Sequence, residues 1–151
     1  MLKLNYKKLL IKKNKIPITC LTAYSKPLAN ILDGKIDLIL IGDSLGTTLY
    51  GMQNTRGVTI EMMKNHGKAV VLNTKFSMTI IDMPYNTYRN KKEALKNALD
   101  ILAFTKADFI KIETDKNNIS IVEHLTKNKI KVVSHIGVTP QKFSNFSKIK
   151  S

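Results

Sequence analysis

Asp43, Asp82, Lys111, Glu113 and His135 each stand at or just beyond the end of a short apolar run. Their side chains can bind a cation, hold an anion and move a proton. Residues 16–21 run into Thr22-Ala23-Tyr24, and residues 36–41 into Gly42-Asp43-Ser44. Residues 76–81 end at Asp82, Phe109-Ile110 leads into Lys111-Ile112-Glu113, and residues 130–134 end at His135. Segments with helical spacing lie between these runs, so the order reads β-α-β-α-β and predicts an α/β fold with parallel strands. All strand C-termini of such a sheet lie on one face. The five side chains then converge at one mouth, where α/β barrels and open α/β sheets keep their active sites.

Asp43 and Asp82 end neighbouring strands, and a carboxylate pair so placed suits a hard cation. Mg²⁺ takes oxygen ligands, often one or two carboxylates, and leaves its other positions to water and substrate. Glu113 could be a third ligand or hold a coordinated water. Lys111 alternates with Glu113, so both point to the same side of a strand, and a lysine there can bind a substrate carboxylate. His135 can donate a hydrogen bond or shuttle a proton. Taken singly, each residue has a plainer explanation. An Asp after a strand is commonly a turn former or helix cap, Lys111 and Glu113 could be an ordinary ion pair, and a His beyond a strand is commonly solvated. The coincidence of five such positions carries the enzyme reading. His66 and His124 fall on helical segments and read as structural or surface residues.

Gly42-Asp43-Ser44-Leu45 also matches the nucleophile block of the serine esterases named after that tetrapeptide. Those enzymes need an Asp three residues before a late His to activate the serine. Here Val132 precedes His135, Ile121 precedes His124 and Met63 precedes His66 at that spacing. The esterase reading lacks its base.

The 151 residues are 43% hydrophobic, enough for one domain with a real core. A full eight-stranded α/β barrel takes about 250 residues, and this chain supplies about five strand units, which fits a smaller open sheet or part of a barrel. The formal net charge of +14 raises a nucleic-acid reading. Arg56 and Arg89 are the only arginines, however, and the lysines are scattered. Base-reading and stacking surfaces favour arginine and clustered aromatics, so no specific nucleic-acid partner is expected. The single cysteine, Cys20, falls within the first strand and reads as a small buried hydrophobe in a reducing compartment. Residues 1–15 are basic without a long apolar stretch, unlike a secretory signal. No apolar run reaches the roughly 20 residues of a membrane span. A cytoplasmic location without membrane association is expected.

Leucines and Tyr6 among lysines predict an amphipathic helix over residues 2–13 that could cap the bottom of a barrel. The first strand is expected over residues 16–21, then a short helix over 25–32 with Ser25 as N-cap and Asp33-Gly34 as its stop. The unbroken apolar run 37–41 predicts a strand covered on both faces. Residues 42–57 read as one long loop, and Thr59 as the cap of a helix carrying Met62, Met63 and Val70. A strand over 77–83 stops at Pro84. Ala94, Leu95, Ala98, Ile101 and Leu102 define the clearest helix, over 90–106. Strands over 109–112 and 130–133 flank a helix over 119–128. From Gln141 onward the chain reads as a loose polar tail within a single domain, 1–151.

With those residues in view, the chain resembles the 3-methyl-2-oxobutanoate (ketopantoate) hydroxymethyltransferases. The stretches that carry the resemblance are Leu21-Thr22-Ala23-Tyr24, Ile41-Gly42-Asp43-Ser44-Leu45-Gly46, Val58-Thr59, Ile81-Asp82-Met83-Pro84, Ile110-Lys111-Ile112-Glu113 and His135-Ile136-Gly137-Val138-Thr139-Pro140-Gln141. They occur in the family's order and with near-family spacing, from about residue 4 to about 146.

The resemblance implies a (β/α)₈ barrel of the phosphoenolpyruvate/pyruvate-type superfamily, represented here by about five of its eight strands. It implies Mg²⁺ ligands in Asp43 and Asp82, with Glu113 beside the metal, and Ser44 and Lys111 on the carboxylate of a 2-oxo acid. The co-substrate would be 5,10-methylenetetrahydrofolate, the acceptor 3-methyl-2-oxobutanoate and the product 2-dehydropantoate, in pantothenate and coenzyme A biosynthesis. His135 would lie near the reacting hydroxymethyl group. The family's base is a glutamate from the second half of the barrel, which residues 1–151 do not include. Ser25 replaces the family's usual Asp, Thr114-Asp115 a glycine pair, and Ser147-Lys148-Ile149-Lys150 a Gly-Gly-aromatic-Lys stretch. A homo-oligomer, or a chain supplying the other half-barrel, is the expected partner. The alternative is a non-catalytic remnant or partner subunit of a split enzyme.

Overall fold

The computed structural model describes residues 3–144. Leu2, where the leucine-lysine pattern begins, and residues 147–150 lie outside the described residues, as does the tail reading from 145 on. Five strands form one parallel sheet in chain order: β1 (Cys20–Thr22), β2 (Leu38–Ile41), β3 (Met78–Asp82), β4 (Phe109–Glu113) and β5 (Val132–His135). Helix α1 (Tyr6–Lys12) precedes them. The crossovers carry α2 (Lys26–Leu32), α3 (Leu45–Leu49) with α4 (Ile60–Val71), α5 (Lys91–Thr105) and α6 (Ile119–Lys127).

Strand alternation divides the apolar residues between two faces. Ile39, Ile41, Ile81, Met83, Ile110 and Ile112 pack with Met63, Val70, Ala98, Ile101 and Leu125 of the helices. Met78, Ile80 and Phe109 cluster on the other face with Leu9 of α1. That helix closes the N-terminal end of the inner face, as its leucines predict. The Lys12 ammonium lies 2.5 Å from Asp37, and Leu4 N–H donates to the Phe76 carbonyl at 2.7 Å. Gly67 lets α4 lie close to the sheet, since a Cβ there would stand 2.6 Å from Ile81 and 2.9 Å from Thr105.

Several expectations are corrected. The first helix starts after Asn5, whose side chain accepts from Lys8 N–H. The first strand is only Cys20–Thr22, and all three residues are exposed because β1 is an edge of the sheet. Cys20 is therefore exposed rather than buried. β2 is half-buried at alternate positions, since the inner face is less covered than the helix-packed one. Ser25 holds the N-cap position of α2 without a side-chain capping bond. Residues 42–57 are not one loop: they contain α3 and a 3₁₀ turn over Thr55–Gly57. The fifth strand lies two residues later than expected and includes His135. Among the described residues, no helix is long and apolar enough to cross a membrane.

Asp33 stitches the end of α2 to the entry of β3, its carboxylate accepting N–H groups of Lys75, Phe76 and Ser77 at 2.7–2.9 Å. Burial alone would raise its pKa, but these donors hold it below the usual value. Ionised Asp33 thus adds stability above the unfolded carboxylate pKa, and that stability is lost as pH falls through the lower folded value. Asp33→Ala should cost about 2 kcal/mol at pH 7, since bonds to a charged acceptor are worth about 1.5–3 kcal/mol and this one is partly solvated. Urea unfolding at pH 7 and pH 3 measures it. An equal loss at both pH values would refute the charge-based account.

Candidate active site

Parallel register brings the chemistry-bearing residues side by side. Asp82, the last residue of β3, is the Cα partner of Lys111 on β4, and Glu113, the last residue of β4, is the partner of His135 on β5. Alternation puts Lys111 and Glu113 on the same face as Met78, Ile80 and Asp82. Asp43 follows β2 by one turn-forming residue, Gly42, and leads into α3. The five positions meet at the C-terminal end of the sheet, as expected.

Asp82 is buried. Its Oδ1 accepts from Lys111 Nζ at 2.8 Å, and its Oδ2 from Asp43 N–H at 3.1 Å. Asp43 Oδ2 accepts from the Gln141 side-chain amide at 2.7 Å. The same amide donates to the Met83 carbonyl at 3.0 Å, and Gln141 N–H donates to Glu113 Oε1 at 3.1 Å. Gln141 is only 4% exposed and clamps both carboxylates, so the loose-tail reading fails at its first residue. Gln141 is the buried residue of the 3₁₀ turn Pro140–Lys142. Composition gave no sign of this; the only signal was its place at the end of the His-x-Gly-x-Thr-Pro-Gln stretch.

Ser44 begins α3 without capping it, and its hydroxyl lies 2.7 Å from the hydroxyl of buried Tyr24. A Cβ on Gly42 would stand 3.0 Å from Ser44 Oγ and 3.6 Å from Asp82 Oδ2, so both groups border the same small space. The Tyr88 hydroxyl donates to Gln141 Oε1 at 2.5 Å. Sequence reasoning missed Tyr24, Tyr88 and Gln141 as site residues. His66 lies outside the carboxylate group and bonds Tyr24 and Tyr50. His124 lies in the last turn of α6.

The carboxylates are strained electrostatically. Burial, then repulsion from Asp82, pushes Asp43 up to about 6. Burial raises Asp82 despite Lys111, and burial carries Glu113 up to about 7. Desolvation, then Lys111, lowers His135. Three acids against one ammonium leave a negative excess when ionised, which a divalent cation would cancel. Glu113 Oε2 and His135 Nδ1 are buried without hydrogen-bond partners, and Nδ1 lies 3.8 Å from Glu113 Oε1. Among the described residues, no three His, Cys, Asp or Glu side chains form a ready metal cluster. Asp43 and Asp82 nonetheless bring hard carboxylate oxygens to one end of the sheet, the ligand chemistry that a divalent cation takes together with water or substrate oxygens.

Comparisons with known proteins bear on the family and the fold. The model of the ketopantoate hydroxymethyltransferase family matches residues 3–151. The 3-methyl-2-oxobutanoate hydroxymethyltransferase of Pelagibacter ubique is 53% identical over 89% of this chain and 52% of its own length. That of Rhizobium etli is 47% identical over 83% of this chain and 46% of its own. The chain thus spans about half the length of these curated relatives. A crystal structure of 2,3-dimethylmalate lyase, of the PEP mutase/isocitrate lyase superfamily, superposes with TM-score 0.62 at 12% identity. It covers 89% of this chain and 51% of that one, and establishes the barrel-type fold alone. On sequence, fold and motif order together, the chain belongs to the ketopantoate hydroxymethyltransferase family.

Proposed function

We propose that this chain carries the metal- and 2-oxo-acid-binding part of a hydroxymethyltransferase. The reaction moves a hydroxymethyl group from 5,10-methylenetetrahydrofolate to 3-methyl-2-oxobutanoate and gives 2-dehydropantoate. The observation that carries the reading is the grouping about Asp82, in a member of this family: Lys111 bonds its Oδ1, Asp43 N–H bonds its Oδ2, and Ser44 Oγ lies across Gly42 from it. Asp43 and Asp82 would hold Mg²⁺, with Glu113 beside it. Bound Mg²⁺ polarises the keto group of the acid and acidifies its C3–H. Lys111 takes the substrate carboxylate with its ammonium, and Ser44 with its hydroxyl. Gln141 holds Asp43 in place and keeps its carboxylate from rotating. His135, neutral at pH 7 because its pKa is lowered, can accept a proton at this end of the sheet.

The test is calorimetric titration with 3-methyl-2-oxobutanoate in Mg²⁺ and in EDTA. Binding at least about tenfold tighter with Mg²⁺ is expected, because two ligand positions of the cation would be filled by the acid. Equal affinity in both buffers would defeat the chelation reading. The second reading, a subunit completed by another chain, draws on the exposed β1 and the largely uncovered β5, which form the two sheet edges. Sedimentation with and without the second half of a relative distinguishes it.

A further inference from the structure

We infer that Tyr24, itself held by His66, is a positioning residue that aims the Ser44 hydroxyl at the carboxylate of the bound acid. The inference rests on the proposed role of Ser44 in the preceding section and deepens it.

Ser44 is a poor anion ligand unless its rotor is fixed. It stands at the N-cap of α3 with no side-chain bond to the helix, so the helix does not orient it. Among the described residues, its hydroxyl has one hydrogen-bond partner, the Tyr24 hydroxyl at 2.7 Å. A phenol is the stronger acid and donor of the two. Tyr24 therefore donates, Ser44 Oγ accepts, and the serine proton is left to point elsewhere. Ser44 Oγ and Asp82 Oδ2 lie 3.0 and 3.6 Å from where a Cβ on Gly42 would stand, so the hydroxyl sits on the side of the sheet end where Lys111 bonds Asp82. A carboxylate there receives that proton.

Tyr24 is fixed in turn. Its main-chain carbonyl lies 2.6 Å from His66 Nδ1 on α4. A carbonyl only accepts, so Nδ1 carries the hydrogen. Nε2 is then free to accept from the Tyr50 hydroxyl at 2.9 Å. The relay joins three separate segments: the turn after β1, the start of α3 and the middle of α4. Tyr24 is 7% exposed, so water does not compete for its contacts.

The experiment uses the full 151-residue chain and calorimetric titration with 3-methyl-2-oxobutanoate at saturating Mg²⁺, alongside titration with Mg²⁺ alone. Tyr24→Phe should weaken acid binding about tenfold, the cost of one oriented bond to a charged group, and leave Mg²⁺ affinity unchanged. Ser44→Ala should lose a similar factor, and the double variant should bind no more weakly than Ser44→Ala, because Tyr24 acts only through Ser44. His66→Leu should show a smaller loss, restored by His66→Asn, whose amide nitrogen can replace Nδ1. If Tyr24→Phe unfolds, the two His66 variants carry the test. Wild-type affinity in Tyr24→Phe, multiplying losses in the double variant, or an equal loss of Mg²⁺ affinity would overturn the inference. Failure of the wild-type chain to bind the acid with Mg²⁺ would instead remove the functional reading, and this inference with it.

Discussion

Asp43→Asn should bind Mg²⁺ at least about 100-fold more weakly than the wild-type chain and yet be more stable when metal-free. The first effect follows from removing one of two charged oxygen ligands, when even outer partners of a metal ligand are worth 10–100-fold. The second follows from burial. Desolvation and the neighbouring Asp82 raise the Asp43 pKa from 3.8 to about 6, so its ionised form is costly in the folded chain. The folded state then binds more protons than the unfolded one between about pH 4 and pH 6, and metal-free stability falls as pH rises through that window. Asparagine removes the cost and can still accept from the Gln141 amide. The Thr55 hydroxyl, buried beside Asp43 and without a well-formed bond, gains a donor. A gain of about 1–2 kcal/mol is expected at pH 8 and little at pH 4. Urea unfolding in EDTA at both pH values measures it, and calorimetry measures the Mg²⁺ loss. Unchanged Mg²⁺ affinity would remove Asp43 from the ligand set. Lower stability at pH 8 would show that its charge serves the fold rather than the metal.

How much of this was legible in the chain depends on the range of the interaction. Strand order and helix placement were legible, because β3, α5 and α6 are dense local patterns set by alternation and by i, i+3, i+4 spacing. Asp82, Lys111, Glu113 and His135 were legible for the same reason. A residue at a strand end inherits its position from the sheet. β1 starts four residues later than expected, because an edge strand is not delimited by its apolar run: Ile16 and Ile18 are exposed and lie outside it. Cys20 was misjudged with it. α3 was hidden because Gly46, Thr47 and Thr48 give no helical signal; the helix is held by tertiary contact, Gly46 lying where a Cβ would stand 2.6 Å from Val58. Gln141 and Tyr24 reach the site from 98 and 20 residues away along the chain from Asp43 and Ser44 respectively, contacts that no local pattern reports.

The 151-residue chain should bind 3-methyl-2-oxobutanoate with Mg²⁺ but exchange its C3 proton slowly. Binding and proton removal are separate tasks. In the proposed reading the first needs Asp43, Asp82, Lys111 and Ser44, which lie together. The second needs a base within about 2.6–3.2 Å of the proton, or one water away, and such a base contributes about 10²–10⁴-fold. Family resemblance assigns that task to a glutamate in the half of the relatives that this chain does not cover. Glu113 is engaged through Oε1 by Gln141 N–H and, in the proposed reading, stands beside the metal, so it is a poor substitute there. His135 is the remaining candidate, but on β5 it stands two strands from Asp82, roughly 9–10 Å across the sheet. In the proposed reading, an acid held at Asp43 and Asp82 would meet His135 only at its margin. The measurement is deuterium exchange at C3 with purified chain, Mg²⁺ and no folate, compared with the full-length Pelagibacter ubique relative. A rate about 10²–10⁴-fold below the relative is expected. Exchange at the relative's rate would place a working base among these residues, and its loss in His135→Gln would identify it. Slow exchange restored by adding the relative's second half as a separate polypeptide would show that the two halves assemble, with proton removal supplied by the second half to an acid held by the first.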